Sequence, residues 1–269
     1  MAYPKLEYKY LFPAEACAML RSRIKEMCDV DSFAAREADE QYTIRSVYFD
    51  TKRLDAYEQK REGERVRRKF RIRTYNAQQA DSIAYLEIKS KQGAFLTKHR
   101  APVPYDALSQ VFTGRGMEDH ADTLFCDGAG ADAASRWMYH YMRMQLQPVV
   151  LITYEREPFI GRYEGDLRVT LDKHIRASMF PALTDIYTEE GLRPTLCNFA
   201  ILEVKFTRGV PRWLRRVIHD FGLNRMALSK YTICIDSLYP EVGPSANSRM
   251  SFKCDPNLLR PSSSFICVP

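Results

Sequence analysis

The sequence predicts an α+β protein in which antiparallel strands close into a barrel, with helices flanking it on the outside. Three observations carry that expectation. Apolar and polar residues alternate with period two from Gln41 to Pro104 and again from Pro148 onward. Short polar breaks holding Gly63, Asn76 and Gly93 divide the first of these stretches into segments suited to antiparallel pairing. Helical spacing is confined to separate stretches before, between and after the two strand groups.

In chain order, a short charged strand over Lys5 to Leu11 leads through Phe12-Pro13 into a helix, where Pro13 opens the segment and Ala18, Leu20, Ile24 and Met27 follow helical spacing. Four strands are then read from YTIRSVYFDT, ERVRRKFRIRTY, SIAYLEIKSK and AFLTKHRAPV. A short helix near Tyr105 to Phe112, a Gly- and Asp-rich loop, and a helix over Ala131 to Gln145 with Trp137, Tyr141 and Met144 on its apolar side follow. PVVLITYERE, DLRVTLD and AILEVKF return to strand. The amphipathic helix VPRWLRRVIHDFGL comes next, with Pro near its start and Gly222 at its end, and ALSKYTICIDSLYP closes the folded part. The expected domain is 1–240. Residues 241–269, rich in Ser and Pro and without periodicity, read as a flexible tail, the alternative being a strap packed through Phe252, Leu258, Leu259 and Phe265.

At 269 residues, with 45% hydrophobic and 28% charged residues, the chain is large enough to bury a full core and is composed like a globular protein. Seven scattered cysteines lack metal-ligand spacing, which points to buried thiols in a reducing, cytoplasmic setting. No stretch approaches eighteen uninterrupted apolar residues and the opening residues do not read as a signal peptide, so membrane association is expected only through a membrane-protein partner. His99, His120, His140, His174 and His219 sit on separate segments without ligand spacing. Arg212, Arg215 and Arg216 read as a solvated helix face, and Tyr48, Phe49 and Asp50 as packing and turn chemistry.

The net charge of +6 says little; its placement says more. Residues two apart on a strand share a face, which groups Glu7 with Lys9, Arg71 with Arg73, and Glu87 with Lys89 and Lys91. The same parity joins Lys98 to Arg100, Tyr154 to Arg156, Arg168 to Asp172 and Glu203 to Lys205. One such strand is most simply a sheet face in water. At least six of them, mostly cationic, with the apolar positions Leu86, Ile88, Val169, Leu171, Leu202 and Val204 beneath helices, place the charges in a barrel lumen instead. Crowded Lys and Arg repel one another, so a polyanion is the natural occupant, and Arg offers phosphate a bidentate contact. Isolated carboxylates among phosphates suit a hard divalent cation, Mg²⁺ or Mn²⁺. Nucleic acid is disfavoured, because a tunnel excludes a duplex and no RNA-binding signature is present.

LEYKY, IRSVYFDT, RRKFRIRTY, LEIKSK, TYERE, LRVTLD, ILEVKF and SKY occur in an order and spacing that resembles the VTC-type polyphosphate polymerase domain of the triphosphate tunnel metalloenzyme, or CYTH, superfamily, over residues 5–239. The resemblance implies an eight-stranded antiparallel tunnel and transfer of the ATP γ-phosphoryl group to polyphosphate with release of ADP, with pyrophosphate or triphosphate as related ligands. It implies that Lys9, Arg71, Arg73, Lys89, Arg156, Arg168 and Lys230 grip phosphate, with Ser229 and Tyr154 beside them. Lys98 and Arg100 compete for one more contact, Lys98 being preferred. Glu203 is the leading metal ligand, with Glu7 and Glu87 as further candidates. The superfamily pattern Glu-x-Glu-x-Lys here reads Lys5-Leu6-Glu7-Tyr8-Lys9. Loss of the first acid disfavours a triphosphatase, or tripolyphosphatase, that would use it to hold metal; a non-catalytic polyphosphate-binding module is the third alternative.

Overall fold

The computed structural model describes residues 5–93, 95–113 and 128–239. The tail 241–269 and most of the Gly- and Asp-rich loop, with Cys126 and His120, lie outside the described residues. Ten strands form one antiparallel sheet. Eight run in the spatial order β1 (Leu6–Pro13), β10 (Phe199–Phe206), β8 (Arg168–Met179), β7 (Gln147–Gly161), β3 (Tyr42–Asp50), β4 (Val66–Tyr75), β5 (Ile83–Gln92) and β6 (Phe95–Pro104). Two short strands stand off this path: β2 (Cys28–Val30) pairs with β7, and β9 (Arg193–Pro194) with β8.

The closed barrel expected from the sequence is not formed. The sheet curls into a half-barrel whose edges, β1 and β6, share no ladder among the described residues. Closure requires backbone hydrogen bonds between first and last strands, and β6 is built as an edge: Pro102 and Pro104 lack an N–H, and Lys98 and Arg100 project charge. Period-two alternation is the same for a closed barrel and for a strongly curled open sheet, so it did not distinguish them. What spans the open side is side-chain chemistry, with Glu7 of β1 reaching Lys89 of β5 at 3.1 Å.

The apolar parity packs as the alternation requires. On the convex side Leu86 and Ile88 lie with Trp137 of the helix Gly128–Met144. Val169, Leu171, Leu202 and Val204 lie with Leu20 and Ile24 of α1 (Cys17–Lys25), and with Leu214 and Val217 of Arg212–Asp220. Each such fully buried large side chain contributes ~1.5–3 kcal/mol. The first helix starts later than its proline suggested, because Pro13 still belongs to β1 and Ala14–Ala16 forms a 3-10 turn.

Two helices near the lumen depart from the sequence reading. The short α2 (Asp55–Arg61) was not anticipated, being too brief to show a period. The closing segment is a full helix, Lys230–Leu238, capped by Ser229, whose hydroxyl accepts from the Thr232 amide. Its Tyr231, Ile233 and Ile235 pack with Ile44, Tyr48, Val150, Ile152 and Tyr154, which by register occupy the concave face. This helix therefore plugs one half of the concavity and leaves the other half charged.

Asp50 ties both helices to the sheet. Its carboxylate accepts from the amides of Thr51, Ala56 and Tyr57 at 2.8–3.1 Å and from the Tyr231 hydroxyl at 2.6 Å. Asp50→Ala strands those donors in the interior, and the expected loss is about 2–4 kcal/mol, read as a lowered urea midpoint.

Candidate functional site

The charged half of the concave face encloses a cavity of about 220 Å³. Its walls carry Lys9, Lys60, Arg67, Lys69, Arg71, Arg73, Lys89, Lys91, Arg156, Lys205 and Lys230 against only Glu7 and Glu203, with Tyr48, Tyr154, Ser229 and Leu96 between them. Strand register brings these residues together. Arg71 stands opposite Glu87, Lys69 opposite Lys89, Lys9 opposite Glu203, and Arg156 opposite Asp172.

Among the residues expected from the sequence, Lys9, Arg71, Arg73, Lys89, Arg156, Lys230, Tyr154, Ser229, Glu203 and Glu7 all line this one cavity. Glu87, Lys98, Arg100 and Arg168 do not. Glu87 is fully buried beside the cavity, accepting from Arg71 at 2.7 Å and pairing with Lys98 at 2.5 Å and Arg100 at 3.3 Å. Arg100 lies on the exposed edge strand, stacked 3.4 Å over Tyr85. Arg168 keeps the lumen parity, but beyond the cavity it binds Asp31 at 2.6 Å.

Other contributors were passed over. Arg67, Lys69, Lys91 and Lys205 lie on charged strand faces that the parity rule already marks. Lys60 comes from α2 and had no signal. Tyr48 accepts from Arg71 at 2.9 Å. Asp172, completely buried, receives Arg156 at 2.6 and 2.7 Å and Lys230 at 2.5 Å, and so fixes two cavity cations at once.

The electrostatics follow from crowding. Burial pushes the Glu203 carboxyl up, but Lys205, Lys9, Arg156 and Lys230 outweigh it and hold the group well below the ordinary range. Tyr48 is held below the usual phenol because Arg71 and Arg73 overcome its burial. Lys69 is the opposite case. Burial and then Lys9, Lys89, Lys60 and Arg67 depress its ammonium, while its hydrogen-bond partner is the neutral Ser229 hydroxyl at 2.6 Å. Among the described residues Arg73 likewise bonds neutral oxygens, those of Ser46 and Tyr154.

The donors fit a divalent cation shared with substrate and not a cage made by the protein alone. Among the described residues no group of three or more His, Cys, Asp or Glu converges. Glu203 and Glu7 flank Lys9, at 3.4 and 2.9 Å, and could supply the one or two carboxylates that Mg²⁺ or Mn²⁺ takes alongside phosphate oxygens. Glu87 does not fit, since it is absent from the cavity lining and lies completely buried behind Arg71, Lys98 and Arg100.

A curled antiparallel half-barrel with a basic cavity, a few buried acids and a helical plug is an arrangement suited to a polyanion. The VTC domain model matches residues 5–239, and the chain belongs to that family. A comparison with curated proteins gives no match. Solved structures with a similar trace include the PH1819 protein from Pyrococcus horikoshii OT3, at TM-score 0.45 and 9% identity over 86% of this chain and 98% of that one. Another is HpAC1 from Hippeastrum, described as a candidate adenylyl cyclase with a dominant triphosphatase activity, at TM-score 0.42 and 13% identity over 86% and 94%. Similarity at this level says nothing about activity.

Two outcomes follow from the ion pairs. Asp172→Asn leaves two buried cations without their acid, and stability is expected to fall by about 3–5 kcal/mol, partly restored by added tripolyphosphate in a thermal-shift measurement. Glu7 is held down to about 2 from an ordinary 4.5, because Lys9, Lys89 and Lys205 outweigh its burial and the nearby Glu203. A depressed carboxyl contributes stability above its unfolded value and loses that contribution as pH falls toward its folded value. The denaturation midpoint should therefore fall as pH drops from 4.5 toward 2, with a shallower fall in Glu7→Gln.

Proposed function

We propose that this chain is an ATP-dependent polyphosphate polymerase. Family membership supports phosphate chemistry. The observation that carries the reading is the single cavity in which eleven Lys and Arg surround Glu7 and Glu203. So much uncompensated positive charge suits a ligand with many negative charges, and the missing acid at Lys5 disfavours hydrolysis of the triphosphatase kind.

In this reading an oxygen of the terminal phosphate of the acceptor attacks the γ-phosphorus of ATP. The bond to the bridging oxygen breaks, and ADP leaves with the electron pair. The acceptor oxygen is already anionic, so no strong base is required. Catalysis then rests on positioning and on charge stabilisation of the transferred group. Arg71 and Arg73 offer planar donors, and Lys9, Arg156 and Lys230 supply charge from the opposite wall. Glu203, with Glu7, would hold Mg²⁺ or Mn²⁺, which supplies neutralisation of the phosphate oxygens. Cys17, Cys28 and Cys234 are buried free thiols, which supports a cytoplasmic setting where ATP is abundant. No described helix is long and apolar enough to cross a membrane.

Incubation with γ-labelled ATP and Mn²⁺ or Mg²⁺, with products resolved on a gel, tests the proposal. Long labelled chains with equimolar ADP are expected, and Glu203→Ala should reduce the rate on the order of 100-fold or more. Free phosphate as the sole product would assign hydrolysis instead. Tight polyphosphate binding without turnover would assign a binding module.

A further inference from the structure

A polar row crosses the outer face of the sheet. Thr74 of β4 stands opposite Arg45 of β3, Arg45 opposite Thr153 of β7, and Thr153 opposite Arg176 of β8. Ile72, Val47 and Leu151, two positions away on the first three strands, belong to the convex core with Trp137, so the row faces away from the charged cavity. Thr74 and Thr153 are completely buried, and Arg45 is 7% exposed. The segment leading from the 3-10 turn Leu183–Tyr187 to β9 lies over the row. From it the Tyr187 ring stands 5.9 Å from the Arg45 guanidinium, and Glu189 bridges the two arginines, at 2.5 Å from Arg45 Nη2 and 2.8 Å from Arg176 Nη1.

The row is not satisfied from within. Arg45 Nη1, Arg176 Nε and the hydroxyls of Thr74 and Thr153 are buried without a hydrogen-bond partner among the described residues. Unpaired buried polar groups are costly, and four of them in one row call for a common occupant. All four atoms can donate and the two arginine nitrogens can only donate, so that occupant must offer acceptors. Charge points the same way. The two guanidiniums share one half-exposed carboxylate, and no other lies within 4.0 Å of either among the described residues. Nearby acids are engaged elsewhere, Glu155 by His174 at 2.6 Å and Glu37 by Asn76 at 2.8 Å. Water would satisfy some of the donors but not the charge. Long and short side chains alternate along the row, so Arg45 and Arg176 stand two strand spacings apart, ~10 Å, with Thr153 between them. A compact tetrahedral oxyanion fits that spacing, since it has acceptors on every side and can take a guanidinium from each.

We propose that Thr74, Arg45, Thr153 and Arg176 form a second anion site, on the outer face of the sheet, that takes a single phosphate-sized oxyanion, with Glu189 as the built-in competitor for its arginines. The site does not depend on the polymerase reading. Arg73 and Tyr154, the chain neighbours of Thr74 and Thr153, line the charged cavity, so the two sites lie back to back on the same strands and share no side chain.

Calorimetric titration of the full chain with inorganic phosphate tests it, with the cavity filled by saturating tripolyphosphate and ionic strength held constant with potassium chloride. One further phosphate per chain is expected. Arg176→Gln should weaken that binding on the order of tenfold or more, whereas Glu189→Gln, which removes the competing charge, should strengthen it about two- to fivefold. Thr153→Val keeps the shape of the side chain and removes an unpaired hydroxyl, so the ligand-free melting temperature should not fall while phosphate binding weakens. Absence of phosphate binding beyond the filled cavity overturns the site, and so does binding that is unchanged in both Arg176→Gln and Thr153→Val. Weaker binding in Glu189→Gln overturns the competition. Failure of tripolyphosphate to bind overturns the polymerase reading alone, since the same variants still separate a phosphate on the outer face from one in the cavity.

Discussion

Eleven cationic side chains facing one cavity repel one another, and four acids hold six of them in place. Glu203, Asp172 and Glu87 are all but fully buried, and Glu7 lies between Lys9 and Lys89. Each acid serves more than one cation: Asp172 holds Arg156 and Lys230, and Glu87 holds Arg71 with Lys98 and Arg100. Such pairs add little net stability, since desolvation offsets much of their attraction, but loss of one partner leaves a buried charge exposed to its like neighbours. The lumen thus depends on a small set of acids that fix the geometry of a much larger set of bases. Positive charge remains in excess, and a bound polyanion completes the balance.

The helical plug decides where that balance is struck. Lys230–Leu238 fills half of the concave face with apolar side chains, and its first residues stand at the boundary. Ser229 receives Lys69, Lys230 reaches Asp172, and Tyr231 binds Asp50 while stacking on Tyr48 with centroids 5.1 Å apart. One helix terminus therefore joins the core to the charged cavity. Rigid packing behind Arg71 and Lys230 suits chemistry that depends on position more than on covalent participation.

An open edge changes how the cavity communicates with solvent. A closed tunnel would be sealed along its length by backbone hydrogen bonds. Here the side between β1 and β6 is spanned by the Glu7–Lys89 pair, and β6 protects its free edge with prolines and charge. A lateral opening of this kind keeps the lumen hydrated and its charges screened more than a sealed barrel would.

Strand parity by itself determined which residues share a face, because successive side chains on an extended chain must point to opposite sides. It gathered eight of the expected site residues into one cavity, Ser229 and Lys230 arriving from the closing helix instead, and it also marks Lys69, Lys91 and Lys205. Parity carries no information about what lies across the concavity. Only the tertiary structure decided that the sheet stays open, that Glu87 is taken up by Arg71 and Lys98, and that Arg168 turns to Asp31. It also brought in Lys60 from a seven-residue helix too short to leave a periodic trace. Facing is a property of the local backbone, whereas edge pairing and the choice of counter-charge are set by segments far apart in the chain that meet only when the sheet curls.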